Sequence, residues 1–183
     1  MRLPIQTARL ILREMHRADW RALHAYNRDP EFHRYLPIAP PDETGTRGFV
    51  GLCLARARER PRRHYDPVVQ ERTSGVVLGT LRMSLREPGA GDLGYAIRRD
   101  RWNEGFATEA VHALIAAARS SLGLEEIWAT VDPDNLASCR VLAKLGFDRR
   151  RDEVGKPIKE GRPPSLVFFR RLGAAELFLE RAV

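Results

Sequence analysis

Two stretches of the chain combine residue types and spacings that suit work on a phosphorylated ligand. The first is Leu93-Gly-Tyr-Ala-Ile-Arg-Arg-Asp-Arg-Trp-Asn-Glu-Gly-Phe-Ala-Thr-Glu-Ala110. An alternating apolar run ends there, a turn holding Gly105 follows, and helical spacing begins near Ala107. The first N–H groups of a helix lack intrahelical partners and sit at the positive end of its dipole, so they attract anions. Gly105 allows backbone to approach a phosphate closely, Ala107 leaves the space open, and Arg98, Arg99 and Arg101 bring positive charge. Taken alone, the stretch has a plainer reading as an ordinary strand-to-helix turn. The second stretch is Asn135-Leu-Ala-Ser-Cys-Arg-Val-Leu-Ala-Lys-Leu-Gly-Phe147. Asn135 suits an N-cap and Gly146 a C-cap. A well-capped amphipathic helix explains most of that stretch without any function.

Other reactive residue types are dispersed. His16, His24, His33, His64 and His112 form no metal-ligand spacing, so no metal site is expected, and His112 is expected on an exposed helix face. Cys53 and Cys139 are too few for a disulfide framework. Cys139 reads as a small hydrophobe packed in its helix rather than a nucleophile.

The elements that must position these stretches follow from periodicity. Arg9–Arg13 reads as a strand. Ala18–Asn27 has helical spacing, with Trp20, Leu23 and Tyr26 on one face and Asp19 as N-cap. Pro30, Pro37, Pro40 and Pro41 break regularity. A second helix is read over Phe49–Arg60, with Phe49, Leu52 and Cys53 on one side. Asp66–Arg72 reads as a strand, and Val77 to Leu85 alternates with period two. Pro88–Gly91 is a loop, and Leu93–Arg98 is a further strand. A helix from about Ala107 to Leu122, capped by Gly123, leads to a strand at Ile127–Val131. The Asp132–Asn135 turn, the helix ending at Gly146, and strands at Phe147–Val154 and Leu166–Leu172 complete the order, with a terminal helix read at Glu176–Ala182. Meander strands followed by strand–helix alternation imply an α/β mixed sheet with helices packed on it.

Composition narrows the class. The chain has 183 residues, 43% hydrophobic and 30% charged, as expected of one globular domain over 1–183 with a core of about 7–172 and a tail at 173–183. No apolar run approaches the roughly 20 residues of a membrane span, and no secretory signal is read at the start. A reducing, cytoplasmic setting is the simplest expectation. The net charge is +7, and only Lys144, Lys156 and Lys159 of the 31 basic residues are lysines. Such a surface suits solvation or an anionic partner. No interleaved aromatic–basic motif supports nucleic-acid binding.

Together the two stretches are more specific than either alone. Leu93 to Tyr95 with Trp102 to Ala110, then Asn135 to Phe147, and Thr7-x-Arg-Leu-x-Leu-Arg13 upstream, resemble the GNAT (general-control-related N-acetyltransferase) superfamily, and within it the Rim-type ribosomal-protein N-terminal acetyltransferase branch. The resemblance spans roughly residues 7–172. It implies a central, mostly antiparallel seven-stranded mixed sheet with a splayed strand pair, flanked by about four helices. It implies acetyl-CoA as co-substrate, its pantetheine arm lying between Leu93–Arg98 and Ile127–Val131. Backbone around Ile97, Arg98 and Arg99 would hold that arm, and the turn of Trp102, Asn103, Glu104, Gly105, Phe106, Ala107 and Thr108 the pyrophosphate. Asn135 and Ser138 would lie near the thioester. The chain departs from the superfamily at Trp102, at Leu142, where many members carry a tyrosine acid, and at Arg150, where the branch often has a glutamate.

The implied reaction is direct attack of a primary amine on the thioester, without a covalent enzyme intermediate. The amine must lose a proton, and Asp92 is the first candidate base, with Glu104 and Glu109 as alternatives. Glu109 is expected to support its helix start through the dipole. A thiolate is a fair leaving group, so Ser138 would need to donate only a weak hydrogen bond. The acceptor is a protein N-terminus or a small amine, shaped by Phe32–Phe49 and Gly155–Ser165. The chain is expected to be a monomer or homodimer without a membrane partner. The competing reading is a CoA-binding sensor or scaffold without catalysis.

Overall fold

The computed structural model describes residues 1–37, 41–86 and 89–172. Nine strands form one sheet: β1 (Ile5–Gln6), β2 (Leu10–Arg13), β3 (His64–Tyr65), β4 (Val68–Glu71), β5 (Val77–Leu85), β6 (Ala90–Ile97), β7 (Glu126–Val131), β8 (Asp148–Gly155) and β9 (Ser165–Arg171). Their spatial order is β1-β2-β4-β5-β6-β7-β9-β8, and β3 pairs with β5. Every ladder is antiparallel except β6 with β7. The count exceeds the expected seven for two local reasons. β1 is only two residues long and gives no periodic signal. β3, also two residues long, lies just before the expected Asp66–Arg72 strand, and Asp66 with Pro67, which has no N–H to donate, separates it from β4.

Among the described residues four α-helices flank the sheet: α1 (Trp20–Asn27), α2 (Glu43–Arg56), α3 (Phe106–Leu122) and α4 (Leu136–Lys144). α2 starts six residues before the expected Phe49. Asp42 sets its start, accepting the Gly45 N–H at 2.6 Å. Gly45 and Gly48 weaken the helical signal of that first turn. The buried face of α2 is Thr46, Val50 and Cys53, whereas Phe49 and Leu52 are exposed. Asp19 does not cap α1. Its carboxylate accepts the His16 N–H at 2.6 Å and pairs with Arg13, closing a 3-10 turn at Arg17–Asp19. The helix read at Glu176–Ala182 lies outside the described residues.

Two apolar clusters lie on opposite sheet faces. One joins Leu93, Ile97, Ile127 and Ala129 to α3 and to Leu142 of α4. The other joins Leu23 and Tyr26 of α1 to Val50 and Cys53 of α2, above Val68 and Val77. Among the described residues no helix is long and apolar enough to cross a membrane. The feature that builds a site is the incomplete β6–β7 ladder. Ala90, Gly91 and Asp92 pair with Glu126, Ile127 and Trp128, and there the pairing stops. Beyond it, among the described residues, β6 is paired as a strand with β5 alone and β7 with β9 alone.

Candidate active site

The Arg98 N–H donates to the Leu78 C=O at 2.7 Å. This bond fixes the alternation along β6: even-numbered residues turn their backbone groups toward β5 and odd-numbered ones away from it. The N–H and C=O of Tyr95 and the C=O of Leu93 therefore face the gap opened by the splay. The Ile97 C=O faces the same way but already accepts the Trp102 indole N–H at 2.6 Å. Trp102 thus folds back to close the end of β6, and the expected backbone clamp at Ile97–Arg99 is partly occupied by the chain itself. The free edge centres instead on Tyr95, two residues before the expected clamp.

Past β6 the chain turns through Arg98–Gly105 into α3. Asn103 (φ 64°) and Gly105 (φ 81°) both adopt left-handed backbone, a conformation that points successive N–H groups into one concavity. No side chain caps α3, and its first backbone bond runs from Glu109 N–H to Gly105 C=O. The N–H groups of Phe106, Ala107 and Thr108 have no helical partner. This is the arrangement expected of an anion cradle. Its nearest cation is Arg9, unmarked in the chemical reading, whose Nη2 lies 3.5 Å from where a Gly105 Cβ would be. Arg9 also lies 4.4 Å over the Phe106 ring. The three arginines expected to add charge are each in an ion pair: Arg98 with Asp100, Arg99 with Asp29, and Arg101 with Glu71. The Arg101 guanidinium holds the Glu71 carboxyl down to about 2.

The expected alternative bases are similarly engaged. Burial opposes ionisation of Glu109, but bonds from the Thr7 hydroxyl and from the Arg9 N–H and guanidinium outweigh it and hold its carboxyl low. Glu109 ties the N-terminal segment to α3, a role distinct from the dipole support expected of it. Glu104 accepts from Arg101 at 3.1 Å. Asp92 is on the α1–α2 face, at the closed end of the splay. Its Oδ1 accepts from Arg86 at 2.8 Å, and its Oδ2 lies 3.5 Å from Arg82. The Arg82 guanidinium in turn lies 3.4–3.6 Å from where a Gly94 Cβ would be. Gly94 thereby leaves room for a cation on the splayed half of β6.

Across the gap, Asn135 caps α4 as expected, its Oδ1 accepting the Ser138 N–H at 3.0 Å. The Tyr95 hydroxyl reaches over and donates to the Ser138 C=O at 3.2 Å. The turn before α4 is held by Asp132, whose side chain is fully buried. It accepts the Asp134 N–H at 3.0 Å and two bonds from Arg162 at 2.6 and 2.7 Å. Arg162 makes a third bond to Asp134 at 2.8 Å. Its guanidinium holds the Asp132 carboxyl below the usual range, against burial. The two segments expected to shape the acceptor site meet here. Lys159 donates to the His33 C=O at 3.2 Å, and Arg162 lies 5.6 Å over the Tyr35 ring. Residues 38–40 of the first segment lie outside the described residues.

These features form one gap between β6 and β7, with an uncapped helix start on one side and a capped one on the other. A model of the acetyltransferase (GNAT) domain matches residues 9–148. The chain belongs to the GNAT acetyltransferase family. This acetyltransferase is 33% identical over 148 residues to the uncharacterized N-acetyltransferase p20 of Bacillus licheniformis, covering 79% of this chain and 82% of that one. It shares its fold with RimL, a ribosomal L7/L12 alpha-N-protein acetyltransferase solved with coenzyme A (TM-score 0.79, 18% identity, 93% and 98% of the two chains). Mycobacterium smegmatis RimJ, solved with a CoA-disulfide, is similar at TM-score 0.76 and 24% identity, over 92% and 83%. The GNAT resemblance and the enzyme class are thereby established. Asn135, Tyr95 and Asp132 stood inside readable motifs, but the brace from Tyr95 and the lock from Arg162 had no signal in spacing, because their partners are 43 and 30 residues away.

Proposed function

We propose that the acetyltransferase moves acetyl from acetyl-CoA to a primary amine by direct attack. The observation that carries this reading is the unpaired edge at Tyr95 leading into the uncapped start of α3. An extended amide-bearing arm can add to that edge as a strand, and its pyrophosphate would then reach the N–H groups of Phe106, Ala107 and Thr108. The residues present fit the group. When bound, it supplies an acetyl thioester.

The α3 face of β6 is filled by Leu93, Tyr95 and Ile97, so the acceptor enters from the α1–α2 face, where Asp92 and Gly94 point. Asp92 accepts the amine's proton directly or through water, competing for Oδ2 with Arg82. The Ser138 hydroxyl, which makes no hydrogen bond among the described residues, donates to the departing sulfur. A covalent route through cysteine is disfavoured: burial pushes the Cys53 thiol up to about 12 and also raises Cys139. A protein N-terminus is the acceptor we favour, in a cytoplasmic setting. The open gap and the meeting of the 28–37 and 156–164 loops beside the start of α4 support a chain end entering from outside.

The test is thiol release from acetyl-CoA with N-terminal peptides and small amines. Release with peptides supports the full reading, and release only with small amines replaces the acceptor. Acetyl-CoA binding without release for any amine favours the sensor or scaffold. Asp92→Asn should lose rate most near neutral pH and recover where the amine is already free. A pH-independent loss would leave Asp92 holding Arg82 and Arg86 rather than accepting a proton.

A further inference from the structure

We infer that the groove between α2 and the segment joining β2 to α1 is a second ligand site, which takes an organic anion with an apolar body such as an aromatic or medium-chain carboxylate. The groove has a volume of about 490 Å3, within the range of small-molecule sites. Its floor is apolar: Met15 and Val50 are buried, and Trp20 and Leu54 form walls. Its rim carries the guanidinium groups of Arg17, Arg47 and Arg58 beside the His16 imidazole, and no carboxylate lines it. Arg47 is shared between Glu43, at 2.7 Å, and the face of Trp20, at 3.6 Å. Arg17 and Arg58 form no ion pair among the described residues. An apolar body in the groove would place an anionic head among guanidinium groups whose charge is not already neutralised.

A separate observation concerns α2 itself. It carries Gly45, Gly48 and Gly51 within fourteen residues, and each glycine weakens a helix relative to alanine. Gly45 is crowded, since its Cβ would lie 3.0 Å from Pro41 and 3.2 Å from Asp42. Gly51 lines the groove, and its Cβ would meet nothing within 4 Å. Gly48 is equally open but lies outside the groove, whereas at Gly51 the missing side chain leaves the helix backbone accessible to a ligand in the groove. The groove shares no lining residue with β6, β7, α3 or α4, so it is separate from the gap that takes the acetyl donor. Symmetric pairing of two copies here would set guanidinium against guanidinium, which disfavours a dimer as the occupant.

The test is calorimetric titration of the full chain, saturated with coenzyme A to fill the other site, with 2-naphthoate and with its neutral amide. The carboxylate should bind about tenfold more tightly than the amide. Replacing both Arg17 and Arg58 with alanine should erase that difference. Gly51→Leu should abolish naphthoate binding while the melting temperature holds or rises, because leucine is the better helix former and fills only open space. Equal affinity for acid and amide, no heat at millimolar naphthoate, or unchanged binding by Gly51→Leu would each overturn the inference. The coenzyme A titration that precedes the naphthoate arm reports independently on the acetyl-donor site.

Discussion

The starts of α3 and α4 face each other across the same gap, and they are built in opposite ways. At α3 the chain supplies no cap: Gly105 stands at the N-cap in left-handed conformation, and the first N–H groups are left for something else to satisfy. At α4 every role is filled from within. Asn135 accepts the Ser138 N–H, Asp132 accepts the Asp134 N–H, and Arg162 locks both carboxylates. A helix start that is costly to leave unsatisfied and yet carries no cap is a place for a ligand. A helix start capped from within and braced by a buried ion pair is a fixed wall. In the proposed reaction the pair divides the work: α3 binds, and α4 positions.

The largest effect should come from giving α3 a charge of its own. Gly105→Asp keeps a residue that tolerates positive φ, and a carboxylate at a helix start is favourable, with Arg9 Nη2 close by. The fold should survive. A negative charge in the cradle should cost several kcal/mol toward a pyrophosphate, more than roughly a hundredfold in Kd. The measurement is the acetyl-CoA-induced rise in melting temperature, worth about 2.7 kcal/mol for the parent at a hundredfold excess over Kd. Gly105→Val is the poorer probe, because a β-branched residue at φ 81° strains the turn whatever binds there. An undiminished shift for Gly105→Asp would place the pyrophosphate elsewhere.

The next effect unlocks α4. Arg162→Met leaves the buried Asp132 carboxylate without its cation, and breaking such a pair costs about 3 kcal/mol. Adding Asp132→Asn should restore much of that stability, since the two changes share one interaction. The sign with pH is fixed by the lowered carboxyl of Asp132. Its contribution is present above the unfolded value, about 3.9, and disappears as pH falls through the lower folded value. The gap between parent and Arg162→Met in chemical denaturation should therefore narrow in acid. A gap constant from pH 7 to 3 would mean that Arg162 acts through packing rather than charge.

What the residues revealed in advance follows the same division. The α3 start was legible because its signal is local: a strand period, a glycine and a helix period lie within 18 residues. Asn135 and Gly146 were legible for the same reason. The start of α2 was not, since glycines at 45 and 48 erase helical propensity where the Asp42 cap and the buried Thr46 decide the outcome. Arg9 and Arg162 were silent as chemistry in a chain rich in arginine, because only the fold sets one beside Gly105 and the other on Asp132. Asp92 was legible as an isolated carboxylate, but Arg82 and Arg86, its partners, were not.

Asn135 separates capping from positioning at α4, with an effect one step smaller. Asn135→Ala should cost about 1 kcal/mol of stability by removing the cap. Asn135→Asp keeps the cap oxygen and should stay folded, yet it sets a negative charge beside the developing oxyanion. A rate loss of roughly a hundredfold is expected, the scale of a misplaced reacting group. Equal kcat for Asn135→Asp and the parent would confine Asn135 to capping.

The smallest effect tests a strut between the two sides. The Tyr95 hydroxyl starts from the free edge of β6 and ends on the first turn of α4, at the Ser138 C=O. Burial raises its ionisation to about 12, so it remains a protonated donor throughout any neutral assay. A proton directed at a backbone carbonyl braces the gap and is not available to the leaving sulfur. Tyr95→Phe keeps the buried ring and removes only the brace, leaving one carbonyl lone pair at the rim of the gap, where water can replace it. The expected loss is about 1 kcal/mol of stability, or roughly 2–4 °C in melting temperature, with kcat changed by less than about threefold, the rate equivalent of well under 1 kcal/mol. The kcat–pH profile should keep its shape between pH 7 and 9, since the hydroxyl does not titrate there. A loss of rate far beyond the loss of stability would turn the strut into the acid, and the fixed wall at α4 would then share in the chemistry.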